Sequence, residues 1–219
     1  ITKESFAQWM CESASLIKSL DPNHMVSTGS EGLYGCEVDM DLFEKIHSHK
    51  DFDYLNVHIW PLVWRWVTKD TFADSVCVAN RQTEKYLTAH FPVAERLGKP
   101  IVLEEFGYPR DGNRSFEGEA DKFWDGVSLS KESATTARDE YYGYVFERLI
   151  KSRQNGEPLV GVNFWGWGGY ATQSAVNEFW RPGDDYCGDP AQEPQGLFSV
   201  YATDLSTVDL IRKYNSLLR

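Results

Sequence analysis

Long apolar runs are missing from this chain. No stretch approaches the about 18 consecutive apolar residues that a membrane-spanning helix needs, so none of the 219 residues is expected in a bilayer. Positive charge is scarce: 22 Lys and Arg stand against 33 Asp and Glu, a formal net charge of −11. That balance argues against nucleic acid and against an anionic membrane surface as partners, since both recruit cationic patches. Cysteine is sparse, and Cys11, Cys36, Cys77 and Cys187 lack the C-x-x-C spacing of a metal site. The four leave open two disulfides, in any of three pairings, or four buried thiols. No glycine-rich phosphate loop follows an apolar run, which argues against nucleotide binding. The sequence does not open on Met, and no signal peptide is expected within these residues. The chain opens inside a helical pattern and is expected to be a piece of something longer. Asn113-Arg114-Ser115 is a glycosylation sequon, too short a pattern to carry an argument.

Aromatics, by contrast, are plentiful: eight Trp, eleven Tyr and twelve Phe. Helical and strand patterns alternate among them. Phe6, Trp9, Met10, Ser13, Ile17 and Leu20 predict an amphipathic helix over 4–20, stopped by Asp21-Pro22-Asn23. Helices are also predicted over 39–47, 80–97, 134–153 and 205–218. Strands are predicted over 25–29, 53–60, 99–106 and 159–165. Long loops are expected over 108–133 and from Gly166 to about Leu197. Strand–helix repetition implies a parallel sheet with helices packed outside it. A complete eight-stranded (β/α) barrel takes about 250 residues. Four strands with a leading helix therefore read as the C-terminal half of such a barrel, strands five to eight. A self-contained doubly wound domain is the alternative.

The strand ends carry the chemistry. Ser30 and Glu31 follow the first strand, His58 and Trp60 lie on the second, and Glu104 and Glu105 end the third. Asn163, Trp165 and Trp167 close the fourth. In parallel α/β proteins the carboxyl ends of strands bind ligands. Strand alternation places His58 and Trp60 on one face and Asn163, Trp165 and Trp167 on another shared face. It places Glu104 and Glu105 on opposite faces, so only one is expected to work. Indole rings suit the apolar face of a pyranose and offer an N–H to its rim. Carboxylates and imidazole suit its hydroxyls. Glycoside cleavage uses two carboxyl groups, and neighbours on one strand diverge, so the second must come from elsewhere. Glu31 reads either as a ligand for a sugar hydroxyl or as the partner of a nearby cation. Asp184, Asp185 and Asp189 offer oxygen ligands for calcium, but not in EF-hand spacing, and a solvated acidic loop is the simpler reading.

These motifs resemble the retaining glycoside hydrolases of family 5: Glu105-Phe106-Gly107, His58-x-Trp60-Pro61, and NFWGWGG over Asn163 to Gly169. VSTGSEG from Val26 to Gly32, HIWP, and PQGLFSVYATD from Pro194 to Asp204 resemble its β-mannanases more narrowly. The resemblance runs from Phe6 to Leu218. It implies an endo-acting β-1,4-mannan hydrolase needing no cofactor, secreted, with residues 1–219 as part of its catalytic domain. It implies Glu105 as nucleophile, with Glu104 turned toward the helix layer. His58 would hold the reactive carboxylates by hydrogen bonds, and Trp165 would lie under the sugar being cleaved. Trp60, Trp64, Trp66 and Trp167 would be further sugar contacts. Two departures stand out. Trp60 occupies a position where the family commonly has Tyr, and an indole N–H donates but cannot accept. The family's Asn-Glu-Pro motif, which holds the acid/base glutamate, is absent, and Asn177-Glu178-Phe179 does not replace it. The resemblance therefore makes the N-terminal half of the barrel a required partner. The alternatives are a non-catalytic glycan-binding half-barrel, a truncated structural product, or a family 5 enzyme acting on another glycan such as cellulose.

Overall fold

The local sequence sets the helix starts. α1 (Lys3–Leu20) begins at Thr2, whose hydroxyl accepts the Ser5 N–H at 3.2 Å while the Ser5 hydroxyl accepts the Thr2 N–H at 3.1 Å. That reciprocal box answers two of the donors a helix start leaves open. α2 (Met40–His47) is capped by Asp39, which accepts the Leu42 N–H at 3.0 Å. In this computed structural model residues 1–110 and 134–218 are described. The sequon at Asn113 and most of the predicted 108–133 loop lie outside them. The remaining elements are β1 (Leu55–Ile59), α3 (Val76–Leu97), β2 (Ile101–Phe106), α4 (Thr136–Asn155), β3 (Leu159–Phe164), β4 (Trp167–Gly169), β5 (Val200–Tyr201) and α5 (Leu205–Leu218). No described helix is long and apolar enough to cross a membrane.

The chain divides into two compact units. The first comprises Ile1–Ile59, Glu84–Glu105 and Lys151–Asn163. Its centre is the sheet β1-β2-β3. A helix connects each strand to its neighbour, the connection that parallel pairing requires. Leu55, Val57, Ile59, Ile101 and Leu103 are fully buried. Each contributes about 1.5–3 kcal/mol relative to exposure. α1 buries Ala7, Met10 and Ala14 but leaves Trp9, Ile17 and Leu20 exposed. Of the predicted stripe only Met10 is buried, with Phe6 and Ser13 half-buried. The small alanines make close approach possible, and the packed stripe is rotated accordingly.

The predicted strand over 25–29 does not form. The Val26 carbonyl takes the Asp53 N–H at 2.9 Å, and the Val26 N–H goes to the Asp53 carboxylate at 2.6 Å. Beyond that, Ser27 and Thr28 donate their hydroxyls to Asn56, the former at 2.7 Å. Side chains, rather than a ladder, hold this segment in the first unit. The four-strand expectation is thereby corrected to three strands in one sheet.

The second unit comprises Trp60–Thr83, Phe106–Ile150 and Phe164–Arg219. Phe106 sits in an aromatic core with Tyr142 (ring centroids 4.9 Å apart) and Phe146 (5.9 Å). β4 and β5 pair in parallel. Asp189 is fully buried and organises the loop before β5. It accepts N–H bonds from Gly196 at 2.8 Å and Phe198 at 3.0 Å, and the Ser199 hydroxyl at 2.5 Å. Burial pushes its carboxyl up to about 6 despite these bonds. All four cysteines are free thiols. Neither expected alternative holds as stated: no disulfide forms, and only Cys36 and Cys187 are buried, with Cys11 half-buried and Cys77 exposed.

Candidate active site

β2 carries the two carboxylates to its end, and β1 supplies the imidazole that meets them. All of these groups belong to the first unit. His58 Nδ1 lies 3.2 Å from a Glu105 oxygen, and His58 Nε2 lies 3.7 Å from Glu104 Oε2. The other Glu104 oxygen accepts the Tyr54 hydroxyl at 2.6 Å. Alternation therefore did not separate the carboxylates as predicted, and the turn of Glu104 toward the helix layer is corrected. At a strand end, side chains of glutamate length reach past the pleat, and both arrive at one ring.

The surroundings explain the charges. Burial opposes ionisation of Glu104, yet the nearby His58 ring and the hydrogen bond from Tyr54 hold its carboxyl below the ordinary value. Burial, together with the Glu104 charge, pushes the Tyr54 phenol up to about 12, so it stays a donor. Behind this group, His47 is buried with Nδ1 2.9 Å from the Phe43 carbonyl. Desolvation lowers its value to about 4, so it is neutral near pH 7. Glu105 is the more open carboxylate, its side chain 29% exposed against 19% for Glu104. Glu31 is half-buried. Its carbonyl accepts the Tyr86 hydroxyl at 2.7 Å and the His58 N–H at 3.4 Å. Among the described residues no cation pairs with its carboxylate. Tyr54, Asn56 and His47 were missed by the sequence reading. The period-2 pattern did mark Tyr54 and Asn56 as sharing a face with His58, and that was the available signal.

The aromatic candidates belong to the second unit. Trp60 packs edge-on against Phe198 (4.9 Å between centroids) and Trp165 (6.3 Å). Trp64 and Trp66 form their own edge-on pair at 5.1 Å. Trp60, Trp64, Trp66 and Trp165 are all half-buried. Trp167 stands on β4 with 56% of its surface exposed. β3 ends at Phe164, so Asn163, Trp165 and Trp167 do not form the single strand face expected. The glycine of Glu-Phe-Gly has a packing reason: a Cβ on Gly107 would lie 2.5 Å from the Trp60 ring and 3.2 Å from Phe198. Gly107→Ala is expected to destabilise by about 1–3 kcal/mol through overpacking, read by denaturant unfolding. An unchanged midpoint would mean the indole has room to move.

The three aspartates considered for calcium are engaged separately. Asp184 accepts the Asn177 amide at 2.9 Å and the Arg181 N–H at 3.0 Å. Asp185 accepts the Thr172 N–H at 2.7 Å, and Asp189 is buried as described. No group of three potential metal ligands occurs among the described residues.

Comparison with known proteins places this arrangement. The family model described as glycoside hydrolase family 5 beta-mannosidase-like matches residues 1–219. The chain is similar to the crystal structure of a family 5 mannosidase from Rhizomucor miehei. That match has a TM-score of 0.78 and 32% identity, and covers 97% of this chain and 48% of the other. It is similar to mannan endo-1,4-beta-mannosidase 3 of Arabidopsis thaliana, 25% identical over 194 residues, covering 82% of this chain and 40% of the relative. It is also similar to mannan endo-1,4-beta-mannosidase F of Aspergillus clavatus, 34% identical over 103 residues, covering 47% and 23%. The chain thus spans less than half the length of these relatives. With its α/β fold and its full-length match, the chain belongs to the β-mannosidase-like proteins of glycoside hydrolase family 5.

Proposed function

We propose that the protein formed by this chain hydrolyses β-1,4-mannosidic bonds within mannan-type polysaccharides, with Glu105 as the nucleophile of a retaining double displacement. The observation that carries the assignment is the half-buried Glu105 carboxylate at the end of β2, steadied by His58 Nδ1 at 3.2 Å. Membership of family 5 and the mannan named in the relatives' descriptions support the reaction and the substrate.

In the first step a Glu105 oxygen bonds to the anomeric carbon as the bond to the glycosidic oxygen breaks. A carboxylic acid gives its proton to that leaving oxygen. In the second step, water attacks the anomeric carbon, the same acid group takes the water's proton, and Glu105 leaves as carboxylate. The acid/base glutamate belongs, on this reading, to the N-terminal half of a (β/α)8 barrel whose C-terminal half is residues 1–219. Trp165 serves as the platform under the sugar, with Trp60, Trp64, Trp66, Trp167 and Glu31 as further sugar contacts.

The test is mannohexaose hydrolysis by the complete protein, followed by proton NMR, with cellohexaose in parallel. Mannohexaose cleavage releasing the β-anomer first is the expected result. The α-anomer first would overturn retention, and preference for cellohexaose would overturn the substrate. Mannan affinity without turnover would favour a glycan-binding protein, a reading that the exposed Trp167 and Tyr170 support.

A further inference from the structure

Glu104 has no part in the two displacement steps, yet it is the more shielded of the two carboxylates. Its oxygens are divided between two partners: Oε1 takes the Tyr54 hydroxyl at 2.6 Å, and Oε2 faces His58 Nε2 at 3.7 Å. The opposite ring nitrogen faces Glu105 at 3.2 Å. A carboxylate only 19% exposed, with one oxygen hydrogen-bonded to Tyr54, is held in place by that partner. An imidazole ring has two nitrogens on opposite edges, so whatever holds one edge aims the other. Two other polar groups of the first unit are engaged elsewhere. Glu31 presents its carbonyl to the His58 main chain, and His47 is committed through Nδ1 to Phe43.

We infer that Glu104, braced by the Tyr54 hydroxyl, is a positioning residue: it turns His58 so that Nδ1–H faces Glu105. This rests on the reading of Glu105 as nucleophile for its purpose, but not for its geometry. A chain of phenol, carboxylate, imidazole and carboxylate runs from Tyr54 to Glu105. Its first three members serve only to aim the fourth.

The experiment is NMR of the complete protein labelled with 15N-histidine, with no substrate present. The His58 Nδ1–H proton is expected as a downfield resonance protected from water, identified by its displacement in Glu105→Gln. In Glu104→Ala it is expected to be lost to exchange, while backbone amides away from residues 54–60 and 102–106 keep their positions. In Tyr54→Phe, which removes only one hydroxyl, it is expected to shift and broaden. Glu104→Ala with the resonance unchanged would overturn the inference. Should that variant fail to fold, an unchanged resonance in Tyr54→Phe overturns it instead. Because this readout needs no turnover, it separates failure of the positioning role from failure of the mannanase reading, which mannohexaose hydrolysis tests alone.

Discussion

Glu105→Gln in the complete protein is expected to remove mannan hydrolysis, with a fall of at least about a thousandfold in kcat. The amide is nearly isosteric and still accepts from His58 Nδ1, which lies 3.2 Å from the carboxylate it replaces. What it loses is the negative charge and the nucleophilic oxygen needed to form the glycosyl-enzyme. Folding should be nearly unaffected, because Glu105 is partly exposed and its neighbours are polar. The informative comparison is with Glu104→Gln, one residue earlier on the same strand. If Glu104 only positions His58, its variant retains measurable turnover while Glu105→Gln does not. Equal loss in both would leave the nucleophile undistinguished. Substantial activity in Glu105→Gln would remove it from the reaction, and the assignment with it. Melting curves for both variants separate loss of chemistry from loss of fold.

Legibility in the sequence followed the range of the interactions. Helix starts at Thr2 and Asp39 are written within four residues, and so is the stop at Gly98, whose φ of +62° suits glycine. β1, β2 and β3 were equally readable, since each is a short run of strand-forming residues, although β3 is only partly buried. The 25–29 segment has strand letters, but its backbone partners and those of its side chains lie near residues 53–56, which no local pattern announces. β4 and β5 pair across 30 intervening residues with only two or three residues each, too short for a period. For the candidate site, His58 and Glu105 were singled out from type and place, and the structure brings them within 3.2 Å of each other. Glu104 was misread because alternation describes where a Cβ points, not where a three-carbon side chain ends. Tyr54 was missed because its role lies in one hydroxyl reaching a residue 50 positions away.

Asp204 presents the same long-range problem and the largest expected effect on stability. Two arginines from distant parts of the chain, Arg110 and Arg138, both donate to its Oδ2, Arg138 at 2.8 Å. The Tyr201 N–H reaches the same oxygen at 2.8 Å. Both guanidinium side chains are fully buried, and Arg138 also donates to the Ser199 carbonyl and the Thr207 hydroxyl. Asp204 is therefore the anion between two buried cations at the start of α5. Burial alone would raise its carboxyl, but the hydrogen bonds and charges of Arg110 and Arg138 hold it below the ordinary aspartate value. Asp204→Asn keeps the shape and an acceptor for Tyr201 but removes the negative charge that both guanidinium groups share. Breaking one partner out of a buried ionic group costs about 3–5 kcal/mol, on the order of 10 °C in Tm for a chain of this size. The pH dependence has a definite sign. A folded-state value below the unfolded one, about 3.9, gives a contribution that is complete above that value and lost as pH falls through the folded one. The wild-type and Asn curves of stability against pH should therefore lie apart at pH 5–7 and converge toward acid. Curves separated by less than about 1 kcal/mol at pH 7 would show that the arginines are compensated without Asp204, placing the anchor of α5 elsewhere.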